Sequence, residues 1–527
     1  MDPTHPHRTN RSIVPLAIVA ILAGYLGALF LGWPQQGTRR IVETQEHHPS
    51  AASDDDVAQP AASAESVVAP PVWAVIPFML LLAAIAVLPL IPATMHWWDS
   101  NRNRFLIAAA CALVTLAYYA FVHRAPLEGH WPAHHVVEPK DSGVQLGFVQ
   151  TVFENAILSE FIPFIVLLFS LFAISGGIRI TGDLEARPLT NAAFIGVGGI
   201  LASFIGTTGA AMLLIRPVLE TNRERKHVVH TIVFFIFVVC NCGGCLLPIG
   251  DPPLFLGYLQ GVPFLWTLVL WKEWLFINAL LLAIYVLLDR FWYYPRESAA
   301  DIRRDVTQQR RLMFSGWQLN VPLLAGVVLA VALLDPSKTV PGTNWHAWMY
   351  LREMVQLALV AVSLWFGSQK LRDDNQFNYH AIVEVAALFS GIFIAMQPAL
   401  QILHERGDEL GIRTPAQFFW VTGSLSSALD NAPTYLVFFK TAQARPVPEG
   451  KTSVAGVEEL TLIGISLGAV FMGAMTYIGN GPNFMVRAIA ERSGVAMPSF
   501  FGYMVYSCLV LLPLFFLMMW LYLLFPY

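Results

Sequence analysis

A polar segment broken by proline and glycine interrupts a long apolar run and limits how this chain can fold. Residues 241–253 read N-C-G-G-C-L-L-P-I-G-D-P-P, and the chain is strongly apolar on both sides of them. The three prolines lack the backbone donors that a helix needs, so a continuous helix cannot pass through. In a bilayer, free backbone groups are tolerated only inside protein or beside a wet cavity. The segment therefore predicts a discontinuous membrane helix with Asp251 at its break, an arrangement typical of transport sites.

The composition is that of a polytopic integral membrane protein. Of 527 residues, 56% are hydrophobic and 13% are charged, whereas soluble proteins carry about 25% charged residues. The net charge of -4 gives no reason to expect a nucleic-acid partner. All five cysteines lie in apolar runs, so no disulfide framework is indicated. The sequence has no nucleotide-binding loop, no H-E-x-x-H and no hydrolase elbow in a suitable context, so neither enzymatic catalysis nor a cofactor is expected.

The first 71 residues precede the main hydrophobic body. Residues 1–33 hold an apolar stretch that follows Arg8 and Arg11, which fits a signal anchor or a cleaved signal peptide. The length of the stretch favours a retained anchor with a cytoplasmic N-terminus. Residues 34–71 are rich in Ala, Ser and Asp and predict a disordered exported linker.

Two apolar stretches, residues 191–219 and 417–439, are each interrupted by polar or turn-forming residues. Each half is expected to be too short to cross a bilayer, so each stretch predicts a re-entrant hairpin. Ten other stretches come near the ~20 residues that a span needs. They are residues 72–92, 105–122, 149–178, 228–271 (broken), 274–289, 318–335, 349–368, 378–400, 458–490 (broken) and 498–525.

The distribution of Lys and Arg supports this layout, because a hairpin returns the chain to the side from which it came and a span does not. With both hairpins in place, most basic residues fall on short inside loops. The chain then has five spans and one hairpin in each half, in opposite orientations. This predicts an all-α inverted repeat in a bacterial-type inner (plasma) membrane, with repeat 1 at 72–290, a cytoplasmic basic linker at 291–317 and repeat 2 at 318–527.

The two halves resemble each other at the predicted hairpin tips and helix breaks. T-T-G-A-A-M-L at 207–213 lies opposite D-N-A-P-T-Y-L at 430–436, and P-I-G-D-P-P at 248–253 lies opposite Y-I-G-N-G-P at 477–482. Inverted-repeat carriers bring such elements together near the bilayer midplane. Four irregular segments are therefore expected to converge on one site.

These motifs resemble the ion transporter superfamily and, within it, the CitMHS-like bacterial branch of sodium/proton antiporters and citrate transporters. The resemblance covers nearly the whole chain after the linker. It implies a secondary carrier in which the hairpin-bearing part moves, elevator-like, against a scaffold. Carboxylate carriers of the superfamily have Ser-Asn-Thr at their tips, whereas this chain has Thr-Thr-Gly and Asp-Asn-Ala-Pro. That departure argues against a carboxylate substrate.

The residues at the tips and breaks predict a cation site. A hard cation such as Na+ takes oxygen ligands, and a carboxylate held out of water can carry a proton or bind Na+ but seldom both. Such exclusive occupancy is the basis of sodium/proton antiport. The candidate ion-binding or substrate-binding residues are Asp251, Asp430, Asn431, Thr207, Thr208, Asn241, Gly250, Asn480 and Asn483, and the Na+ ligands among them are Asp251, Asp430, Asn431 and Thr208.

Other interpretations of the same residues stay open. The two aspartates could cap half-helices, and the threonines and asparagines could hold helices together. Cys240, Cys242 and Cys245 could form a thiol site for a soft metalloid, although small residues at close helix contacts are the more common case. Arg216 could pair with an aspartate or bind a substrate carboxylate. Glu160 and Glu384 lie within predicted spans and are candidates for proton relay.

Two further functions fit the pattern beside the antiporter. One is a cation- or proton-coupled citrate or dicarboxylate transporter, and the other is a passive channel, which the inverted repeat makes less fitting than alternating access. The expected partners are the lipid bilayer and either a small inorganic cation or a small organic anion. A homodimer is an open alternative.

Overall fold

The computed structural model describes residues 10–47, 69–89, 91–307 and 310–524. These parts are mostly helical and include three small two-stranded antiparallel ladders. The strands are β1 Leu127–Gly129, β2 His135–Val137, β3 Arg179–Asp183, β4 Arg310–Ser315, β5 Ser453–Val454 and β6 Val457–Glu458, paired in the order β1 with β2, β3 with β4 and β5 with β6.

Twenty-three α-helices account for most of the described chain. They are α1 Asn10–Phe30, α2 Trp33–His47, α3 Ile76–Val87, α4 Pro92–Trp98, α5 Asn101–Phe121, α6 Leu146–Phe153, α7 Ile162–Ser175, α8 Pro188–Ile205, α9 Thr207–Thr221, α10 Val229–Val239, α11 Pro252–Leu259, α12 Trp271–Leu288, α13 Ala299–Thr307, α14 Trp317–Leu333, α15 Leu351–Phe366, α16 Gln369–Asp374, α17 His380–Ala395, α18 Gln397–Arg406, α19 Pro415–Ala428, α20 Asn431–Gln443, α21 Glu459–Met472, α22 Gly481–Arg492 and α23 Phe500–Met518.

Several of these helices are long and apolar enough to cross a membrane. Six stretches in the described part pass on length and composition, or up to eight if each of two bent pairs counts as one span. The stretch Leu146–Ser175 is continuous and contains a π-helical segment at Glu154–Phe161. This confirms an all-α polytopic membrane protein. Fewer stretches pass than the number of spans expected, because the halves of the broken helices are short and because α14 and α15 have only 17 and 16 residues.

The N-terminal helices pack against α15 and the loop before it. The Tyr25 hydroxyl donates to the Met349 carbonyl at 2.9 Å. Thr38 Oγ1 donates to the Ala347 carbonyl at 3.0 Å and accepts from the Met349 amide at 2.8 Å. Residues 34–47 belong to α2 and are helical, whereas a disordered linker was expected there. Residues 48–68 of that expected linker lie outside the described part of the chain.

Helices α8 and α9 form an antiparallel hairpin, called hairpin 1. Gly206 joins them with φ +79°, in the left-handed region that favours glycine. Asn191 and Asn222 exchange two side-chain hydrogen bonds of 2.8 Å each and so close the base of the hairpin. At 18 residues, α8 is long and apolar enough to span a membrane. The expectation that each half is too short to cross is therefore wrong for α8.

Helices α19 and α20 form a second hairpin, called hairpin 2. It begins with a capping box in which Thr414 Oγ1 accepts from the Gln417 amide at 3.2 Å and Gln417 Oε1 accepts from the Thr414 amide at 3.0 Å. At the base, the Arg445 guanidinium donates to the carbonyls of Ile412 and Arg413 at 3.1 and 3.0 Å. The two arms are joined by extended backbone at the tip.

Two membrane helices are interrupted. Break 1, residues 240–251, separates α10 from α11 and contains two 3-10 turns. Break 2, residues 473–480, separates α21 from α22 and contains one. A Cβ on Gly250 would overlap another backbone carbonyl in break 1, and a Cβ on Gly479 would do so in break 2. Both breaks therefore need glycine for close backbone packing, and break 1 also contains Pro248.

The chain between the two halves is structured rather than a simple linker. Strand β4 pairs with β3, with Arg179 opposite Ser315.

Near the base of hairpin 1, Arg225 Nη1 donates to Asp289 Oδ2 at 3.0 Å, and His230 Nε2 lies 3.0 Å from Asp289 Oδ1. This buried network fixes the segment after hairpin 1 against the end of α12.

Candidate functional site

The carboxylate of Asp251 is the point at which both hairpin tips and both breaks meet. Thr207 Oγ1 donates to Asp251 Oδ1 at 2.9 Å, and Asn480 Nδ2 donates to the same oxygen at 3.0 Å. Asn431 Nδ2 donates to Asp251 Oδ2 at 2.8 Å. Only 1% of Asp251 is exposed. These four residues, Thr207, Asp251, Asn431 and Asn480, are called the carboxylate hub.

Four helices begin at the hub, and this explains why its side chains converge. Thr207 and Asn431 are the first residues of α9 and α20, while Asp251 and Asn480 directly precede α11 and α22. The first amides of a helix have no partner within it and carry a partial positive charge. All four helix N-termini therefore lie close to the Asp251 carboxylate.

A second layer of amides ties the two breaks together. Asn241 Nδ2 donates to the Ile236 carbonyl and to Asn483 Oδ1, each at 2.8 Å. Asn483 Nδ2 in turn donates to the carbonyls of Gly473 and Thr476 at 2.9 Å. Asn241 and Asn483, both expected at the site, thus hold the backbone of the breaks and form no hydrogen bond to Asp251. Gly250, also expected there, contributes the close backbone packing next to Asp251.

No basic side chain neutralises the buried carboxylate. Within residues 10–47, 69–89, 91–307 and 310–524, Asp251 forms no ion pair with Lys, Arg or His, and its three side-chain partners are neutral. An ionised carboxylate out of water is costly unless a proton or a cation compensates it. The hub therefore has the chemistry to hold one of these.

Free oxygen atoms lie close to the hub. Asn431 Oδ1 and Asn241 Oδ1 are buried and have no hydrogen-bond partner in the described part of the chain. A Cβ on Gly473 would lie 3.0 Å from Asn241 Oδ1 and 3.2 Å from the Gly479 carbonyl, so both oxygens pack closely against this glycine. Oxygen ligands of this kind suit a hard cation. In the described residues, no group of three or more His, Cys, Asp or Glu side chains is arranged to hold a metal ion, and that includes the three cysteines of break 1.

Two of the expected Na+ ligands, Asp430 and Thr208, form no hydrogen bond to Asp251. Asp430 is the N-cap of α20, and its Oδ1 accepts from the Ala432 amide at 3.1 Å. This contact agrees with the alternative interpretation that the aspartate caps a half-helix. Thr208 is half-buried and lines a small cavity beside the tip of hairpin 1. The neighbouring threonine, Thr207, is the one that reaches the carboxylate.

The three secondary candidates lie away from the hub. Arg216 donates to the Asp374 carbonyl at 3.2 Å and to Gln376 Oε1 at 3.4 Å. Glu384 forms an ion pair of 2.7 Å with Arg104. Glu160 is buried in the π-helical segment, where its Oε1 accepts from Gln260 Nε2 at 3.2 Å.

Two neighbouring cavities follow one face of hairpin 1 to its tip. The inner cavity is lined by Gly206, Thr208 and Gly250 on one side and by Leu168 and Ile382 on the other. The second cavity lies towards the base of the hairpin, beside Met212, Leu213 and Asn375. Phe172 lines both cavities. Both cavities therefore lie along this face of hairpin 1, and the inner one reaches its tip.

Reasoning from the sequence missed three hydroxyl side chains that hold the irregular backbone. Ser203 Oγ donates to the Gly243 carbonyl at 2.6 Å, and Ser426 Oγ donates to the Ala469 carbonyl at 2.7 Å. Thr476 Oγ1 donates to the Ser427 carbonyl at 2.6 Å. The two serines each lie shortly before a hairpin tip, a correspondence between the halves that was readable in the sequence.

Comparison with known families agrees with this architecture. The family described as "Putative citrate transport" matches residues 67–523, which include both hairpins and both breaks. The chain belongs to this family. None of the curated proteins matches it. Family membership confirms the resemblance seen in the sequence and, with the helical membrane fold, supports a multi-pass membrane transporter of a small substrate.

Proposed function

We propose that this protein is a secondary active transporter that exchanges Na+ for H+ by alternating access. The single observation that carries the proposal is the Asp251 carboxylate, which is fully buried, bonded to three neutral donors and without a basic partner among the described residues. A proton or a Na+ ion can each compensate its charge, and the two exclude each other. Binding one ion requires release of the other.

The parts of the hub suggest how binding and movement are linked. Both hairpins contribute the first residue of their outgoing arm, Thr207 or Asn431, to the same carboxylate. Whichever ion neutralises Asp251 therefore also affects how the two tips are held together. A neutral hub can move with its hairpins past the scaffold, elevator-like, at lower cost than a charged one, because a buried net charge is costly.

The proposed orientation follows from the basic residues. Loops near the base of hairpin 1, including Arg223, Arg225 and Lys226, would face the cytoplasm of a bacterial-type inner membrane. The N-terminus would then be cytoplasmic, with α1 retained as an anchor. The cavities along hairpin 1 would be the cytoplasmic route to Asp251.

Exchange in sealed proteoliposomes tests the proposal directly. A Na+ gradient should drive opposite movement of protons, read by a pH dye trapped inside the vesicles. The transport panel should cover Na+, Li+, K+, citrate, succinate and arsenite. Wild-type protein that moves no proton in response to any of the three alkali cations would contradict antiport.

A second candidate is a cation- or proton-coupled carrier of citrate or a dicarboxylate. The family description favours it, and so do the four helix N-termini that meet at the hub, because helix N-termini attract anions. Arg216, the basic residue first considered for the substrate carboxylate, bonds to Asp374 and Gln376 instead. Uptake of labelled citrate or succinate against its gradient in the same vesicles would replace the antiporter with this function.

A further inference from the structure

Asp251 and Asn480 occupy equivalent positions in the two halves of the molecule. Each directly precedes a half-helix with extended backbone, at φ -143° and ψ 141° for Asp251 and φ -152° and ψ 138° for Asn480. Each follows a glycine, Gly250 or Gly479, that packs closely on a backbone carbonyl. The same local frame therefore presents a carboxylate in one half and a neutral amide in the other.

The two side chains also contact each other. Asn480 Nδ2 donates to Asp251 Oδ1 at 3.0 Å and to the Cys240 carbonyl at 2.9 Å, and only 3% of Asn480 is exposed. The other titratable groups near Asp251 are Asp430, which caps α20, and the thiols of Cys240, Cys242 and Cys245. Of the four residues that form the hub, only Asp251 can be charged.

We propose that Asn480 is the specificity-determining residue that restricts the hub to one positive charge at a time, either a monovalent cation or a proton. This inference rests on the proposed cation exchange, and it identifies the residue that determines which class of ion the protein exchanges. A monovalent ion neutralises Asp251. A divalent ion there leaves one positive charge that no other hub residue compensates, and such a charge is costly in a buried site.

A carboxylate at position 480 removes that restriction. Asn480→Asp places a second acid against Asp251, and two carboxylates at this separation repel each other unless a proton or a cation lies between them. Two acidic oxygen ligands suit Ca2+ better than Na+, because the charges then balance. The same equivalence lets the charge be exchanged between the halves: Asp251→Asn combined with Asn480→Asp restores one carboxylate beside one amide.

The experiment measures ion binding to the purified full-length protein, separately from transport. Binding of radioactive Na+ and Ca2+, and the shift of the thermal unfolding midpoint by each ion, should show that wild type binds Na+ in preference to Ca2+. Asn480→Asp should raise Ca2+ affinity by about tenfold or more, because a second charge adds directly to the attraction. Asp251→Asn should lose Na+ binding, and the exchanged double variant should recover it.

Asn483→Asp is the matched control. Asn483 lies in the first turn of α22, is fully buried and forms no hydrogen bond to Asp251. An acid there adds a buried charge near break 2 without pairing with Asp251, so Ca2+ affinity should not rise. Size-exclusion profiles identify variants that fail to fold, and the wild-type comparison of Na+ with Ca2+ needs no variant.

The outcomes separate this inference from the proposed function. If wild type binds Na+ through Asp251 but folded Asn480→Asp gains no Ca2+ affinity, the role of Asn480 is overturned and antiport stands. Wild type that binds Ca2+ as well as Na+ at Asp251 also overturns it. If wild type binds no cation at all, the proposed function fails and the inference fails with it.

Discussion

Each half of this membrane protein contributes one hairpin tip and one broken helix to the hub, but the side chains at these places differ between the halves. In the first half the hairpin tip turns on Gly206 and presents Thr207, whereas in the second half Asp430 caps the outgoing arm and presents Asn431. At the breaks the first half places Asp251 where the second half places Asn480. At the break positions the backbone conformation is thus nearly the same in both halves, whereas the charge differs.

This difference shows how two similar halves can together form a site with a single acidic group. In both halves, glycine, proline and hydroxyl side chains hold the broken helices in place. Ser203 and Ser426 are examples at equivalent positions. Only one of the two break positions then carries an acid that is buried without a basic partner among the described residues. We expect substitutions at that acid to affect transport most, and substitutions of residues that only hold the frame to affect it less.

The largest effect is expected from neutralising Asp251. Asp251→Asn keeps the size of the side chain but removes its charge and its titration, so exchange should fall by about 100-fold or more if this group carries the ions. In wild type, the apparent Na+ affinity should improve as pH rises, because fewer protons then occupy the carboxylate. Proton movement driven by a Na+ gradient in proteoliposomes measures both effects.

Asp430→Asn is the control for this prediction, because asparagine caps a helix nearly as well as aspartate. Exchange should survive in that variant. Equal loss in both variants would mean that the two acids act together, as the sequence first suggested, and would remove the asymmetry between the halves. A double variant with normal exchange would end the antiporter proposal.

The next largest effect is expected at the two tips that contact the carboxylate. Thr207→Ala and Asn431→Ala each remove one hydrogen bond to Asp251, and because bonds to charged groups contribute about 1.5–3 kcal/mol, each variant should weaken apparent Na+ affinity roughly tenfold or more. Concentration dependence of exchange gives the measurement. Thr208→Ala is the matched control, since Thr208 forms no bond to Asp251. A stronger effect at Thr208 than at Thr207 would contradict the described hub.

If the two halves have the opposite orientations that the sequence predicts, the bases of the hairpins should be accessible from opposite sides of the membrane. Arg223, just after hairpin 1, and Glu449, after hairpin 2, are both exposed. Cysteines at these two positions should react with a membrane-impermeant thiol reagent from opposite sides of the membrane. Asn222 and Gln443 are less suitable positions, because both side chains are engaged in hydrogen bonds. Labelling of both cysteines from one side would exclude the inverted repeat.

The smallest effect is expected at Arg216. Its hydrogen bonds to Asp374 and Gln376 are long and partly exposed, so Arg216→Ala should change Na+ exchange by less than about threefold. Citrate uptake measured in the same vesicles tests the carboxylate-carrier alternative. Loss of citrate uptake in this variant, with cation exchange absent in wild type, would support the carboxylate carrier.

Much of the frame could be predicted from the sequence, because its signals are local. Proline and glycine in an apolar run interrupt a helix wherever the chain is placed, and they located both breaks and both tips. The bounds were less accurate, since α8 extends further than expected and α2 occupies part of the expected linker. Helix length depends on capping and packing partners that hydropathy does not report.

The sequence by itself therefore determined the membrane class, the family resemblance and the residues around which the chain is irregular. Only the tertiary structure decided which side chains of those segments meet. Thr207 and Thr208 are neighbours that line the same cavity, but successive residues point about 100° apart around a helix, so only Thr207 bonds to Asp251. Asn480 likewise became a contact of Asp251 through packing between residues 229 positions apart in sequence, whereas Asp430 caps its own helix through the Ala432 amide two residues away. Such distant contacts depend on how the two halves come together, and no local pattern contains that information.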